Sequence, residues 1–278
     1  MPRPISHKLK SPLERLRRKR HLGKDYSKAL VCREIDITLK SHGLPAHFRI
    51  AHITDQHVGR VTPMELQQAA ISLVNSKAPD LVLLTGDFVS HSDLFLDDLS
   101  FLMSKLHAPS FAVLGNHDHW NDAQGVAKAL RKATVEVLEN QNTIVTIKGQ
   151  ELQLVGLDDA YTHHDDVEKA TKGMRSGLTT IGLSHIAEKA HELWAKGVDL
   201  VLSGHTHAGQ VTVAGLNELL LGSIARHEFI HGLYPNPFEH DRPQFVYVGA
   251  GVGSSVIPIR IGQKAKREVT LFEIKTVV

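Results

Sequence analysis

Aspartate, asparagine and histidine side chains occur in five short clusters, and each cluster follows an apolar run of the sequence. In Asp55-Gln56-His57 the outer two side chains point the same way if the segment is extended, so they can share one metal ion. The other clusters are Gly86-Asp87, Gly115-Asn116-His117-Asp118, Ser184-His185 and Gly204-His205-Thr206-His207. Two carboxylates, one amide and four imidazoles are enough ligands for two divalent ions with positions left for water. The predicted ligands are Asp55, His57, Asp87, Asn116, His185, His205 and His207.

The composition narrows the kind of metal site and the kind of protein. The chain has 278 residues, 42% of them hydrophobic, which is typical of a globular protein with a sizeable core. It has 19 histidines but one cysteine, Cys32, which we expect to fill space in a strand. Any metal ion must therefore be held by nitrogen and oxygen. Because no apolar stretch is long enough for a membrane span or a secretory signal, we expect a cytoplasmic protein.

The elements that must position these side chains alternate as in an α/β domain. From about residue 28, short β-branched apolar runs alternate with longer segments of helical spacing. Ligands gather at the carboxyl ends of strands in open α/β sheets, so five clusters at five strand ends predict one shared site. The predicted strands are 30–38, 48–54, 81–85, 111–114, 143–147, 152–157, 179–183, 200–202, 244–248 and 269–274.

Helices are predicted between these strands. The segment Thr62-Pro63-Met64-Glu65 has the form of a capping box, with Thr62 as the N-cap and Pro63 as the first helical residue. Further helices are predicted near 92–105, 121–133 and 187–196. The segments 80–86 and 199–204 share an acidic start, an apolar strand and a terminal glycine. This repetition indicates two related halves within one domain.

In order and spacing, the five clusters resemble the motifs of the calcineurin-like metallophosphoesterases. The resemblance covers roughly residues 45 to 275. The segments 156–159, 201–211 and 247–253 are similar to the YkuE/YaeI-like branch, whose members include membrane-associated phosphodiesterases and UDP-2,3-diacylglucosamine pyrophosphatases. The resemblance implies a four-layer α/β/β/α sandwich, in which two packed mixed β-sheets are flanked by helices and carry a two-metal site.

The resemblance also implies how the ligands divide between two ions. His185 departs from the family pattern, because relatives often have proline two residues after this histidine and here Ala187 occupies that position. The first ion would be held by Asp55, His57 and His207, the second by Asn116, His185 and His205, and Asp87 would bridge the two.

Hydrolysis of an anionic phosphodiester requires hydroxide near neutral pH and neutralisation of the phosphorus oxygens. Two cations about 3.5 to 4 Å apart can share a hydroxide and clamp those oxygens for in-line displacement. The leaving alkoxide still needs a proton. We predict that His117, beside Asn116 but outside the ligand set, is the general acid, and that Asp118 fixes its tautomer and raises its basicity.

These features predict a metal-dependent phosphodiesterase or pyrophosphatase with a dinuclear centre. The nitrogen and oxygen ligands suit Mn²⁺ as the expected ion, with Fe²⁺ or Zn²⁺ as alternatives. One alternative function is a metal-dependent binding module without catalysis. Another is a zinc metallopeptidase, because His227-Glu228-x-x-His231 matches the H-E-x-x-H motif. Gly232 follows that motif directly, which interrupts the long helix that such a peptidase needs.

Residues 1–25 are predicted to be a basic arm that precedes a domain at 26–278. Residues 1–24 carry nine Lys or Arg and one Glu, a charge of +8, which leaves −6 for the rest of a chain whose total is +2. Such an arm suits weak peripheral binding to anionic lipid at the inner membrane face. It would bring the site to a small-molecule or lipid-linked phosphodiester or pyrophosphate, for example a nucleotide-linked glycolipid. No nucleic acid is expected as a partner, since no aromatic residues are interleaved with the charges.

Overall fold

The computed structural model consists of two β-sheets packed face to face, with helices on both outer faces. It describes residues 26–40, 47–90, 92–209, 227–239, 242–254, 260, 262 and 265–277. The strands are β1 Leu30–Lys40, β2 His47–Ile53, β3 Leu81–Thr85, β4 Ser110–Val113, β5 Val135–Val137, β6 Gln141–Ile147, β7 Gln150–Gly156, β8 Thr180–Leu183, β9 Leu200–Ser203, β10 Gly232–Pro235, β11 Phe245–Val248 and β12 Arg267–Val277.

The helices lie between strands, as the alternating sequence pattern predicts. Short 3₁₀ turns occupy Ser27–Ala29, Asp93–Phe95, Ala187–Lys189 and His207–Gly209. The α-helices are α1 Met64–Ser76, α2 Leu96–Met103, α3 Asn116–Asn121, α4 Ala123–Lys132, α5 Val167–Thr171 and α6 Ala190–Ala195. In the part of the chain that the structure describes, no helix combines the length and the apolar character needed to cross a bilayer.

In the described part of the chain, both sheets have six strands and mixed directions. The order in the first sheet is β1-β12-β2-β3-β4-β5, and the order in the second is β10-β11-β9-β8-β7-β6. Within the first sheet β2, β3, β4 and β5 run parallel to one another, and within the second β7, β8, β9 and β11 do so. Each sheet therefore presents a row of neighbouring carboxyl ends at one edge, where ligands can collect.

Three apolar layers hold the four layers of the sandwich together. The middle layer lies between the sheets and includes Leu83 and Val113 from the first sheet and Leu154 and Leu202 from the second. A second layer packs α1, α2 and α4 onto the outer face of the first sheet. A third packs α5 and α6 onto the outer face of the second. The predicted four-layer α/β/β/α fold is confirmed.

Most elements agree with the sequence prediction, and the differences have simple causes. All ten predicted strands are present within a few residues of their predicted bounds. The prediction missed β5, which is three residues long, and β10, in which glycine and proline replace the usual strand formers. The predicted capping box is wrong: Pro63 is the N-cap, and the Thr62 hydroxyl is bonded to the backbone of Ser254 instead.

The repeated segments 80–86 and 199–204 occupy equivalent places in the two sheets. β3 lies between β2 and β4, and β9 lies between β8 and β11. Each strand is preceded by an aspartate that accepts a backbone hydrogen bond from the neighbouring strand, since Asp80 accepts from Arg49 N and Asp199 from Thr180 N, both at 2.8 Å. This equivalence supports the interpretation of the chain as two related halves.

The prediction for residues 1–25 lies outside the described residues. Cys32 lies in β1 and packs against the apolar layer beneath α1, as expected for a small space-filling side chain.

Candidate metal centre

Strand ends from both sheets meet at one place in the structure. Asp55 and His57 follow β2, Asp87 follows β3, and Asn116 begins α3 just after β4, all in the first sheet. His185 follows β8, while His205 and His207 follow β9, in the second sheet. The site therefore lies across the edge where the two sheets pack, and both halves of the fold contribute to it.

Four buried side chains from three strand ends form the first part of the site. Asp55, His57, Asp87 and His207 each offer one ligand atom within 4.8 Å of the others. The Nε2 atoms of His57 and His207 are 3.0 Å apart. Asp55 Oδ1 lies 3.5 Å from His207 Nε2 and 3.9 Å from His57 Nε2. Two neutral imidazoles and a carboxylate that converge in this way can bind a divalent cation.

The carboxylate of Asp87 joins this group to the remaining predicted ligands. Its Oδ2 lies 3.5 Å from His57 Nε2 and 3.4 Å from His185 Nε2, so it faces both groups. His205 Nδ1 is 2.9 Å from Asn116 Oδ1, and the His185 and His205 rings are 5.2 Å apart. The structure thus brings all seven predicted side chains together, with Asp87 in the middle.

Several polar atoms in this cluster are buried but have no hydrogen-bond partner among the described residues. They include Asp55 Oδ1 and His57 Nδ1, both on side chains with no measurable exposure. An orphaned buried polar atom costs about 1–3 kcal/mol, so such atoms rarely accumulate in one place without a ligand. The other Asp55 oxygen is fixed by the Thr54 hydroxyl and by His205 N. The donor set fits divalent metal ions.

The backbone at the site is strained. Asp55, His57, Asp87, His205 and His207 all have φ between 46° and 73°, in the left-handed region that side chains other than glycine rarely adopt. Such conformations cost on the order of 1–3 kcal/mol each and concentrate at functional sites. Here they turn the chain sharply at the strand ends, so that side chains from neighbouring strands converge.

The protonation of the imidazoles is set by burial and by Asp87. Burial lowers the pKa of His57 and of His205 to about 3, so both rings are neutral, the form that binds metals. Burial also disfavours a charge on His185, but the Asp87 carboxylate outweighs it and raises the pKa of His185 to about 10. Burial raises the pKa of Asp55 to about 6, and the charge of Asp87 adds to this effect.

His117 lies beside the cluster, but its ring is oriented by a different group from the one predicted. The ring centroid is 4.8 Å from that of His57, and His117 Nδ1 lies 3.0 Å from the carbonyl oxygen of Ser90. Asp118 instead accepts backbone hydrogen bonds from Phe88, Val89 and Gly115. The Ser90 carbonyl, and not Asp118 as predicted, therefore orients the His117 ring. The Asp118 carboxylate instead stabilises the turns after β3 and β4.

Two contributors near the site were not among the predicted site residues. Arg260 Nη2 lies 3.0 Å from His207 Nδ1. The glycine-rich segment after β11 lies against the first cluster, with Val252 N bonded to Thr54 O and Gly253 N to Asp55 O. For the segment after β11, the run of glycines next to a strand end was a sequence signal that could have indicated this contact.

The H-E-x-x-H segment does not form a zinc site. Residues 227–231 contain neither helix nor strand. His227 Nδ1 is 3.0 Å from Glu188, and His231 Nε2 is 3.1 Å from Glu268, so the two histidines contact different carboxylates. Glu228 is bonded to His191. A zinc peptidase needs both histidines on one helical face, so the structure excludes this alternative.

Comparisons with known proteins agree with this fold and site. The calcineurin-like phosphoesterase family matches residues 48–209. An uncharacterized metallophosphoesterase of Bacillus subtilis (strain 168), YkuE, is 29% identical over 248 residues, which cover 87% of this chain and 84% of that protein. The phosphodiesterase YaeI of Escherichia coli (strain K12) is 30% identical over 236 residues, 82% of this chain and 83% of its own.

A solved structure supports the fold independently. The NAD nucleotidase NadN of Haemophilus influenzae superposes with a TM-score of 0.55 at 20% identity over 76% of this chain. The chain spans about half the length of that structure, 46%.

The chain belongs to the calcineurin-like phosphoesterase family. The resemblance that the five clusters show, including that to the YkuE/YaeI-like branch, is confirmed. The protein is a hydrolase, a metal-dependent phosphoesterase whose Asp and His cluster fits divalent metal ions.

Metal binding is expected to release a proton from His185. With its pKa at about 10, this ring is protonated near neutral pH in metal-free protein, and its nitrogen would have to lose that proton to bind an ion, as predicted. Metal affinity should therefore rise as the pH rises toward that pKa. Calorimetric titration of metal-free protein with Mn²⁺, in buffers of different ionisation enthalpy, should show about one proton more released than in His185→Gln. Equal proton counts in the two proteins would contradict the assignment.

Proposed function

We propose that the protein is a phosphodiesterase or pyrophosphatase that works with two divalent metal ions, most simply Mn²⁺. The observation that carries the proposal is the position of Asp87 Oδ2, 3.5 Å from His57 Nε2 and 3.4 Å from His185 Nε2. One carboxylate that faces two separate groups of ligands is the arrangement expected of a bridge between two ions. Fe²⁺ and Zn²⁺ suit the same ligands.

In this proposal the ligands divide at Asp87. Bound ions would neutralise the phosphoryl oxygens and lower the pKa of the attacking water. The side chains of the first group converge through their Nε2 and carboxylate atoms, while Asn116 and His205 offer an amide oxygen and Nδ1 to the second. The first ion is assigned to Asp55, His57 and His207, the second to Asn116, His185 and His205, and Asp87 to both.

His117 is proposed to donate the proton that the leaving group needs. Its backbone N donates to Asp87 Oδ1 at 2.9 Å, which holds the residue next to the bridging carboxylate. Since a carbonyl can only accept, the contact with Ser90 O fixes the proton on Nδ1 of the neutral ring. The second proton of the charged ring is then on Nε2, and this proton is the one available for transfer.

The substrate is proposed to be an ester of a small molecule or of a lipid headgroup. Support for a lipid comes from the +8 charge of residues 1–24, which would attract the protein to an anionic membrane surface. The domain limits 1–25 and 26–278 remain part of this proposal. A nucleotide-linked glycolipid suits both the proposed chemistry and the proposed membrane binding, since it carries a pyrophosphate and lies in a membrane.

Removal of the metal tests the core of the proposal. Chelation should abolish hydrolysis of bis-p-nitrophenyl phosphate, and Mn²⁺ should restore it. Asp87→Asn should weaken metal binding by at least about 100-fold, because it removes charge from both groups of ligands. The matched control is Asp36→Asn, the same change at an exposed position of β1. Full activity in metal-free protein, or normal metal content in Asp87→Asn, would refute the proposal.

The acid role of His117 predicts a dependence on the leaving group. His117→Asn should lower kcat by about 10²–10⁴-fold for esters with alkyl leaving groups, and much less for p-nitrophenyl esters, whose leaving group needs no proton. The measurement is kcat across a series of phosphodiesters of increasing leaving-group pKa. His119→Asn is the control, because the His119 ring contacts Asp158 instead. If His117→Asn shows the same dependence as wild type, another group donates the proton.

The basic arm predicts salt-sensitive membrane binding. Each Lys or Arg near an anionic surface contributes about 1 kcal/mol, so the full chain should co-sediment with vesicles that contain anionic lipid at low salt. It should sediment less with neutral vesicles or at high salt. A chain that begins at Asp25 is the comparison. Equal sedimentation of the two proteins would show that the arm does not contribute to membrane binding.

A further inference from the structure

Six aromatic and imidazole rings form a continuous belt around the site, which we call the ring belt. Its two ends, His57 and His185, meet at the Asp87 carboxylate. Neighbouring ring centroids along the belt are separated by 4.8, 4.9, 5.7, 5.3 and 5.2 Å. In order, the ring belt consists of His57, His117, Trp120, Tyr161, His205 and His185.

Trp120 and Tyr161 differ from the other members because they face solvent. They are 58% and 54% exposed, whereas His57 and His185 are fully buried. Rings exposed to this extent contribute little to the core, so packing alone does not account for their position. They make up the outer part of the belt, between His117 on one side and His205 on the other.

Both exposed rings are held on ordered supports. Trp120 lies one turn after Asn116 and His117 on α3, so the helix presents all three on neighbouring faces. Tyr161 is in the loop after β7, where Asp159 accepts hydrogen bonds from Thr162 N and from the Thr162 hydroxyl at 2.8 and 2.7 Å. A side chain on a fixed support loses less freedom on binding a ligand.

We infer that Trp120 and Tyr161 bind a planar aromatic group, a nucleobase or an aryl ring, that is attached to the phosphate. The inference rests on the proposed function and adds a substrate class to it. The two rings meet at 81°, so a planar group that stacks on one ring presents its face or edge to the other, and both arrangements are favourable. Trp120 contacts His117 and Tyr161 contacts His205. The two exposed rings, which we call the platform, therefore lie next to the reacting phosphate.

Substrates with a common leaving group distinguish binding at this platform from cleavage of the phosphate ester. Phenyl p-nitrophenyl phosphate and methyl p-nitrophenyl phosphate both release p-nitrophenolate, and only the first carries a second ring. Wild-type protein should have the higher kcat/KM for the phenyl ester. In the double variant Trp120→Ala, Tyr161→Ala the ratio of the two kcat/KM values should fall about tenfold, while Trp120→Phe, Tyr161→Phe should keep most of it.

The outcomes separate the two proposals. If wild-type protein hydrolyses both esters and the alanine variant keeps the same ratio, the platform is refuted and the phosphodiesterase is not. If the wild-type protein hydrolyses neither ester, the proposed function fails, and the platform is then judged by binding alone.

Fluorescence provides that binding measurement without turnover. The chain has two tryptophans, and Trp194 is only 4% exposed, so a ligand at the platform should quench Trp120. Thymidine 5′-monophosphate should give saturable quenching in wild-type protein that is lost in Trp120→Phe. Ribose 5-phosphate, which has the phosphate and sugar but no base, should quench much less. Equal quenching by the two compounds, or none by the nucleotide, would overturn the inference.

Discussion

The carboxylate of Asp87 is buried between His57 and His185, and much of the surrounding structure serves to accommodate it. A buried carboxylate costs several kcal/mol unless it is paired, and here the charge of His185 offsets the burial and holds the pKa of Asp87 well below its usual range. Space is needed as well as charge. A Cβ on Gly115 would lie 2.5 Å from Asp87 Oδ1, and one on Gly86, whose φ is +86°, would lie 2.9 Å from His185 Nδ1. Gly86 and Gly115 therefore leave room for the side chains of Asp87 and His185.

The strained backbone shows how the fold meets the needs of the site. The turns after β2, β3 and β9 hold non-glycine residues in the left-handed region, and these turns are fixed from several sides. Asp118 binds the backbone of Phe88, Val89 and Gly115, while Asp55 N donates to Gly86 O and His57 N to Asp87 O. Burial of the apolar layer between the sheets stabilises the fold and offsets the free-energy cost of this strain. Rigid strands thus keep the ligand atoms close together despite unfavourable local geometry.

The sequence predicted the convergence of the ligands because that convergence follows from topology. Parallel strands end at one edge of a sheet, so clusters at their carboxyl ends must meet, and the strand bounds were correct to within a few residues. The orientation of His117 was not predictable in this way, since its partner is the carbonyl of Ser90 and a backbone carbonyl has no sequence signature. The contact of Arg260 with His207 was missed for a related reason, because no local sequence pattern indicates it.

The division of the ligands between the two sheets has a thermodynamic consequence. Three of the strand ends belong to the first sheet and two to the second, so an ion coordinated by both would act as a cross-link between halves that are also joined by apolar packing and by polar contacts such as that from the Tyr247 hydroxyl to Glu268. A ligand that binds only the folded state stabilises it, by about 4 kcal/mol when its concentration is a thousand times its Kd. We therefore expect the melting temperature of this protein to rise with the free metal concentration, so that preparations of different metal content would differ in stability.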